Sequence, residues 1–273
     1  WSRCASPRDA ALCRRCLGGT SAGSTTEGGG VLGLRHARRA DARDAARRAS
    51  AQRITAVIPY YAYAKQEKKT SGREPISAKL MANLIVTAGA DRVLTLDLHA
   101  PAIEGFFDIP VDHLRATPLL AARIKQTGDS DIVAVSPDAG GVARADTFRT
   151  RLRAPLAIIS KRHPEPDATE VLEMVGDVEG KTCVIVDDMI STGGTLVAAA
   201  EMLQERGAKK VVAAATHGIF ANEALGIIQN SVIEKVYVTD SLPLPAHNME
   251  GVVDVVRLPL VVAEVAPDGQ SVP

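Results

Sequence analysis

Aromatic side chains are scarce in this chain: Phe, Tyr and Trp make up 3% of 273 residues. Successive bases of a single strand stack on such rings, so a base-stacking surface is not expected. Net charge is missing as well. Lys+Arg and Asp+Glu each total 32, which leaves no overall field to draw the chain onto nucleic acid or a membrane surface. No apolar run reaches the length of a membrane span. The four cysteines, three of them within the first 16 residues, do not make a disulfide framework. There is no G-x-x-x-x-G-K-S/T loop either, which excludes a nucleotide site of the P-loop kind. These absences point to a cytoplasmic globular protein with no nucleic-acid and no membrane partner.

Lysine is absent from the front of the chain. Residues Trp1–Arg53 hold eleven Arg, no Lys, four acidic residues and seven Gly, and the first lysine is Lys65. No apolar periodicity runs through this stretch, and it has no compact apolar segment of the secretory-signal kind. Cys13 and Cys16 lack a second ligand pair for zinc and a preceding strand for a redox site. A basic arm for nucleic acid is the functional alternative. The expectation adopted is an unstructured or artefactual leader over residues 1–43, with residues 266–273 as a tail.

From about Asp44 the texture changes. ITAVIPYY (54–61) is a β-rich run stopped by Pro59, and RVLTLDL (92–98), DIVAVS (131–136), PLAIIS (155–160), KTCVIVDD (181–188) and KKVVAAATHG (209–218) read as buried strands. Between them, ISAKLMANLIVTAGA (76–90) has helical spacing and ends at Gly89. TPLLAARIKQTG (117–128) offers Thr117 as N-cap and Pro118 at the first helical position. Another helix covers about 194–206. Near-continuous apolar strands alternating with helices predict parallel sheets covered on both faces.

Ligands in such sheets collect at the carboxyl ends of strands. Four ends carry chemistry: Asp97 and His99, Asp138 in SPDAGG, Lys161 with Arg162 and His163, and the run VDDMISTGGT (186–195). A histidine after a strand, or an Asp-Ala-Gly-Gly turn, is ordinary alone. Acid, imidazole and ammonium groups recurring at successive strand ends are not.

VDDMISTGGT sets two carboxylates in front of a turn suited to a phosphate. Backbone N–H groups of Thr192, Gly193, Gly194 and Thr195, at the start of a helix, can bind a phosphate dianion. Asp187 and Asp188 would repel it, yet carboxylates accept hydrogen bonds from vicinal ribose hydroxyls, each contributing about 1.5–3 kcal/mol. A sugar phosphate satisfies both halves, with a divalent cation relieving the remaining repulsion.

VDDMISTGGT resembles the phosphoribosyl-diphosphate loop shared by type I phosphoribosyltransferases and ribose-phosphate diphosphokinases (PRPP synthetases). DLHAPAIEGFFDIPVDHL (97–114) and YAKQEKKTSGREPISAKL (63–80) are similar to the ATP-handling segments of the diphosphokinases alone. SPDAGGVARA (136–145) and the lysine of ISKRHPEP (159–166) match too. The resemblance runs from about Asp44 to about Val265.

It implies two tandem parallel-sheet α/β domains of the type I phosphoribosyltransferase kind. These are a partial first domain (44–115) with ATP and metal segments, and a second (116–265) with the ribose 5-phosphate site. The implied activity moves the diphosphoryl group of ATP to the 1-hydroxyl of ribose 5-phosphate, giving PRPP and AMP. Carried over residue by residue, Lys161 matches the catalytic lysine, Lys65 and Gln66 an ATP-contacting pair, and His99 and Asp138 the Mg2+ ligands. His163, Asp187, Asp188, Ser191, Thr192, Gly193, Gly194 and Thr195 fall at the ribose 5-phosphate site. The family forms homo-oligomers, hexamers built from dimers.

Departures matter. Lys65 stands where the family has Arg, so planar contact is lost and charge kept. Glu67 replaces Asp, His163 replaces an Arg, and Ser191 replaces an Asp. Nothing in Trp1–Ala40 resembles the family's front segment, so an incomplete first domain and an inactive chain are part of the expectation. A nucleobase phosphoribosyltransferase and a non-catalytic regulatory homologue are the alternatives. HAPAIEGFFDIP speaks against the first, and retention of Lys161, His99 and Asp138 against the second.

Overall fold

The computed structural model describes residues 9–12, 47–48, 50–162, 171–244 and 251–259, and within them lie two sheets. The smaller holds β1 (Asp9–Leu12), β2 (Arg53–Ile58), β3 (Arg92–Leu96) and β4 (Val111–Leu114), side by side in chain order and all parallel. The larger contains β5 (Ile132–Ser136), β6 (Leu156–Arg162), β7 (Val171–Val175), β8 (Thr182–Ile190), β9 (Lys210–Gly218), β10 (Ile233–Thr239) and β11 (Val253–Val256). Its spatial order is β11-β10-β9-β8-β5-β6-β7. The fold is α/β, as the alternation of apolar strands and helices predicts.

Three local expectations need correction. Asp9–Leu12 lies in the leader read as unstructured, yet its backbone pairs parallel with β2 from Asp9↔Arg53 to Leu12↔Ala56. A ladder needs only backbone groups, so the missing side-chain periodicity did not reveal it. The rest of residues 1–43, and the tail 266–273, lie outside the described residues. Second, the large sheet is not wholly parallel: β7 returns antiparallel on β6, forming an edge hairpin. Third, Thr117 is the first residue of its helix rather than the cap. The cap is Ala116, whose N–H donates to the Asp97 carboxylate at 2.8 Å. Asp97, just past the end of β3, thus anchors the cap residue, while no side chain caps the helix itself.

Both faces of the large sheet are covered. Alternate strand residues Cys183, Ile185, Val211 and Ala213 pack against Leu196, Ala199, Ala200 and Leu203 of one helix and Ala224 and Ile228 of another. The opposite set, Val184, Val186, Val212 and Ala214, packs against Leu120, Ala121 and Ile124, against Ala145 and Phe148, and against Leu96 of β3. The helices concerned are α2 (Thr117–Lys125), α3 (Val142–Leu152), α4 (Gly194–Glu205) and α5 (Ala224–Gln229), after α1 (Ser77–Thr87) on the small sheet. Full burial of such aliphatic side chains contributes about 1.5–3 kcal/mol each. Leu96 thus ties the small sheet to the core of the large one.

Strand order also marks where a ligand goes. From β5 the chain moves outward to β6 and β7, then crosses back to place β8 on the other flank of β5. That reversal opens a crevice between β5 and β8 at their carboxyl ends, the usual binding position in open α/β sheets.

Candidate active site

β8 is buried throughout except at one residue. In TCVIVDDMI only Asp187 is partly exposed, at 31% of its side chain, while Asp188 is at 2%. The pleat explains the contrast: successive side chains leave a strand on opposite faces. Asp188 shares its face with Val184 and Val186, the face on which Leu96 packs, and Asp187 shares the other with Cys183 and Ile185. β8 runs on past its last partner on β5, Ile185↔Val135, so both acids stand beside the crevice.

One guanidinium serves both acids. Arg144, in the first turn of α3, places Nη1 3.1 Å from Asp187 Oδ1 and Nη2 3.3 Å from Asp188 Oδ1. Asp187 Oδ1 also accepts the N–H of Asp188 at 2.8 Å. Burial, and then the adjacent Asp188 carboxylate, push the Asp187 pKa up to about 7. Burial works on Asp188 in the same direction, but the His99 hydrogen bond and the Arg144 charge outweigh it and hold Asp188 ionised.

The other oxygen of Asp188 meets the small sheet. His99 Nδ1 lies 2.8 Å from Asp188 Oδ2, and that bond raises the His99 pKa against the effect of burial. The backbone before His99 is pinned as well. Asp97 sits at φ +39°, a left-handed conformation that L-residues adopt under constraint. Its carboxylate accepts the Ala116 N–H at 2.8 Å and the Thr216 hydroxyl at 2.7 Å. The next N–H, of Leu98, donates to His113 Nε2 at 2.8 Å, and His113 Nδ1–H donates to Glu104.

On the far side of Asp187 lies the turn. Gly193 takes φ +82° and caps α4, and the first bond of the helix runs from Val197 N–H to Gly193 O at 2.9 Å. The N–H groups of Gly194, Thr195 and Leu196 therefore have no acceptor inside the helix, which is the arrangement an anion uses. Thr192, Gly194 and Thr195 are exposed and Ser191 half-buried, with the Ser191 carbonyl held by Ala221 N–H at 3.0 Å.

Of the remaining expected residues, Asp138 follows β5 across the crevice. Its Oδ1 accepts the Gly141 N–H at 2.7 Å and its carbonyl the Ser136 hydroxyl at 2.7 Å. Lys65 and Gln66 are exposed, and Lys65 is near enough for its charge to act on the His99 ring. Lys161 occupies the end of β6, paired through its backbone with Leu172 of β7. His163 lies outside the described residues. Among the described residues no three His, Cys, Asp or Glu side chains gather as a metal cage, and no helix is long and apolar enough to cross a membrane.

Two family models match the chain: the phosphoribosyl synthetase-associated domain over residues 162–266, and the N-terminal domain of ribose phosphate pyrophosphokinase over residues 41–89. The chain is 52% identical over 202 residues to a ribose-phosphate pyrophosphokinase of Oceanobacillus iheyensis. It is 54% identical over 203 residues to one of Clostridium acetobutylicum. Each match covers 74% of this chain and 64% of the relative. The crystal structure of phosphoribosylpyrophosphate synthetase from Mycobacterium smegmatis aligns with a TM-score of 0.78 and 43% identity, over 84% of this chain and 75% of that one. The chain belongs to the phosphoribosylpyrophosphate synthetase family. It spans 64% of the length of the curated relatives named above.

Within this family member, sequence reasoning passed over Arg144, although it stands inside SPDAGGVARA. A cation one turn into a helix carries no local mark of the two acids it meets at β8. His217 was passed over too. It is fully buried, T-stacked with Tyr60 at 5.0 Å, and bonded through Nε2 to Leu96 O at 3.0 Å and through Nδ1 to Ser241 Oγ at 2.8 Å. The signal available was a polar residue ending an otherwise apolar strand.

Proposed function

We propose that the chain acts as a ribose-phosphate diphosphokinase, moving the diphosphoryl group of ATP to the 1-hydroxyl of ribose 5-phosphate. The observation that carries this is the meeting of two half-sites. An anion-binding turn with an acid beside it, Asp187 to Thr195, stands on one sheet. It is joined through Asp188 to a histidine of the other sheet, His99, at 2.8 Å. A phosphoribosyltransferase reading accounts for the first half and leaves the second without a purpose.

In this reading the 5-phosphate rests on the N–H groups at the start of α4, with the hydroxyls of Ser191, Thr192 and Thr195 around it. Asp187 accepts from the ribose hydroxyls. The 1-hydroxyl of the sugar releases its proton to solvent as its oxygen attacks the β-phosphorus of ATP, the bond from that phosphorus to the bridging α,β-oxygen breaks, and AMP departs with the electron pair. Such transfers depend on alignment and charge neutralisation more than on covalent help. Lys161 supplies an ammonium toward the transferred group, and Lys65 and Gln66 hold the nucleotide.

The residues fit a magnesium ion. With Nδ1 of His99 committed to Asp188, Nε2 is the ring nitrogen left to ligate, and Asp138 keeps Oδ2 clear of its Gly141 bond. Two protein donors suit a hard cation that retains waters and nucleotide oxygens. Bound there, Mg2+ would neutralise charge on the ATP phosphates. ATP and a sugar phosphate as substrates are in keeping with a cytoplasmic enzyme, and the resemblance extends to a homo-oligomer, which light scattering would weigh directly.

The test is AMP formation measured by chromatography. AMP is expected only when ATP, ribose 5-phosphate and Mg2+ are all present, and Lys161→Ala is expected to lower the rate by about 100-fold or more, as loss of a charge-stabilising group does. AMP formed without the sugar phosphate would overturn the proposal. Pyrophosphate released from PRPP and a nucleobase without ATP would do the same, and would restore the phosphoribosyltransferase alternative.

A further inference from the structure

Asp187 and Asp188 are neighbours in sequence, and from the sequence alone both are acceptors for one sugar. The structure separates them. Asp188 is 2% exposed, with Oδ2 on His99 and Oδ1 on Arg144, so neither of its oxygens is open to a ligand. Asp187 is 31% exposed; its Oδ1 accepts from Arg144 and from the Asp188 N–H, and its carboxyl also meets that of Asp188. Of the two acids, it is the one that reaches the crevice.

We propose that Asp188, oriented by Arg144, is a positioning residue for His99, and that Asp187 alone serves the sugar. This rests on the diphosphokinase reading above and divides its labour. With the Arg144 guanidinium on Oδ1 and the imidazole 2.8 Å from Oδ2, the carboxylate sits between two N–H donors, so the His99 nitrogen facing it carries the proton. The ring is then held as the Nδ1–H tautomer with the Nε2 lone pair turned to the nucleotide side. Histidines that bind metals are commonly oriented this way by a carboxylate behind them. Arg144 adds direction. Its Nη2 occupies Asp188 Oδ1, which leaves Oδ2 for the ring, and its Nη1 ties the same guanidinium to the sugar-facing acid. The nucleotide and sugar half-sites are thereby linked by the chain His99–Asp188–Arg144–Asp187 across the two sheets.

Asp188→Asn tests this with almost no change of shape. Arg144 can face only the amide oxygen of an asparagine, so the amide NH2 would meet His99 and force the opposite tautomer. Histidine rings labelled with 15N are read by long-range 1H–15N correlation at a pH where His99 is neutral, with His99→Gln identifying the resonance. Binding of magnesium–ATP and of ribose 5-phosphate is measured separately by calorimetry.

The expected result is an Nδ1–H ring in the parent and an Nε2–H ring in Asp188→Asn. Magnesium–ATP affinity should fall by about 10–100-fold, the usual size of a lost orienting partner, and ribose 5-phosphate affinity should stay within about twofold. An Nε2–H ring in the parent overturns the inference and needs no folded variant. So does a loss of sugar-phosphate affinity as large as that of the nucleotide, which would return Asp188 to the sugar. A parent chain that binds neither ligand defeats the diphosphokinase reading and this inference with it. A parent that binds both, with Asp188→Asn unchanged, defeats the inference alone.

Discussion

At the scale of single residues, the site works by giving adjacent acids different surroundings. Asp188 is deep in the structure and paired with Arg144 and His99. Asp187 sits at the crevice, raised to about 7 by burial and by its neighbour. A sugar hydroxyl donates better to a carboxylate than to a neutral carboxyl, so ribose 5-phosphate affinity should climb as pH rises to about 7 and level off above. The phosphate ester titrates near 6 on its own account. Comparison with Asp187→Asn isolates the carboxyl: the break near 7 should vanish in the variant while the break from the phosphate persists. Calorimetric titrations at pH intervals would show it, and identical profiles for both proteins would remove Asp187 from the sugar site.

Among elements, α4 and the loop before β5 carry the sharpest expectations. Gly193 holds φ +82° so that the turn can present N–H groups outward. A Cβ there would meet Ile228 only at ordinary contact distance, 3.4 Å, so the cost of Gly193→Ala is conformational rather than steric against neighbours. It should amount to about 1–2 kcal/mol, seen as a lower urea midpoint with an unchanged slope. The loop before β5 is tied to the start of β9 by Asp129, whose oxygens lie 3.0 and 3.1 Å from Lys210 Nζ. The Thr127 hydroxyl, and then Lys210, hold the folded pKa of Asp129 below its ordinary value despite burial. Its contribution is therefore complete above the unfolded pKa, near 3.9, and lost as pH falls through the folded one. Thermal midpoints of the parent and Asp129→Asn should differ at pH 6 and converge in the acid.

At the scale of the whole molecule, polar contacts join the two sheets, and His217 makes one of them. It reaches from β9 to the Leu96 carbonyl of β3, while Thr216 beside it bonds Asp97. A carbonyl only accepts, so Nε2 carries the proton and Nδ1 accepts from the Ser241 hydroxyl. Burial keeps this ring neutral by lowering its pKa. The unfolded chain takes up a proton near pH 6.5 that the folded chain resists, so stability from this site is present above that pH and declines as pH falls below it. The gap in thermal midpoint between parent and His217→Asn should thus narrow from pH 7 to pH 5. A constant gap would show that the clasp does not depend on a neutral imidazole.

The local pattern of residues settled a good deal. Apolar runs separated by helical spacing specified α/β, and glycines with threonines after KTCVIVDD marked the anion turn, because backbone geometry and helix dipoles are local matters. The same was true of Gly89, which takes φ +94° behind α1. Partnership was not local. His99 and Asp188 are 89 residues apart, and Thr216 and Asp97 are 119 apart. The pleat that separates Asp187 from Asp188 is implicit in any strand, but which face would meet the small sheet depended on strand order. β1 and β7 were hidden for a related reason, since an edge strand is recruited by open backbone groups on its neighbour more than by its own side chains. Periodicity says what a segment can bury; only assembly of the two sheets decided which acid faces a histidine and which faces the crevice.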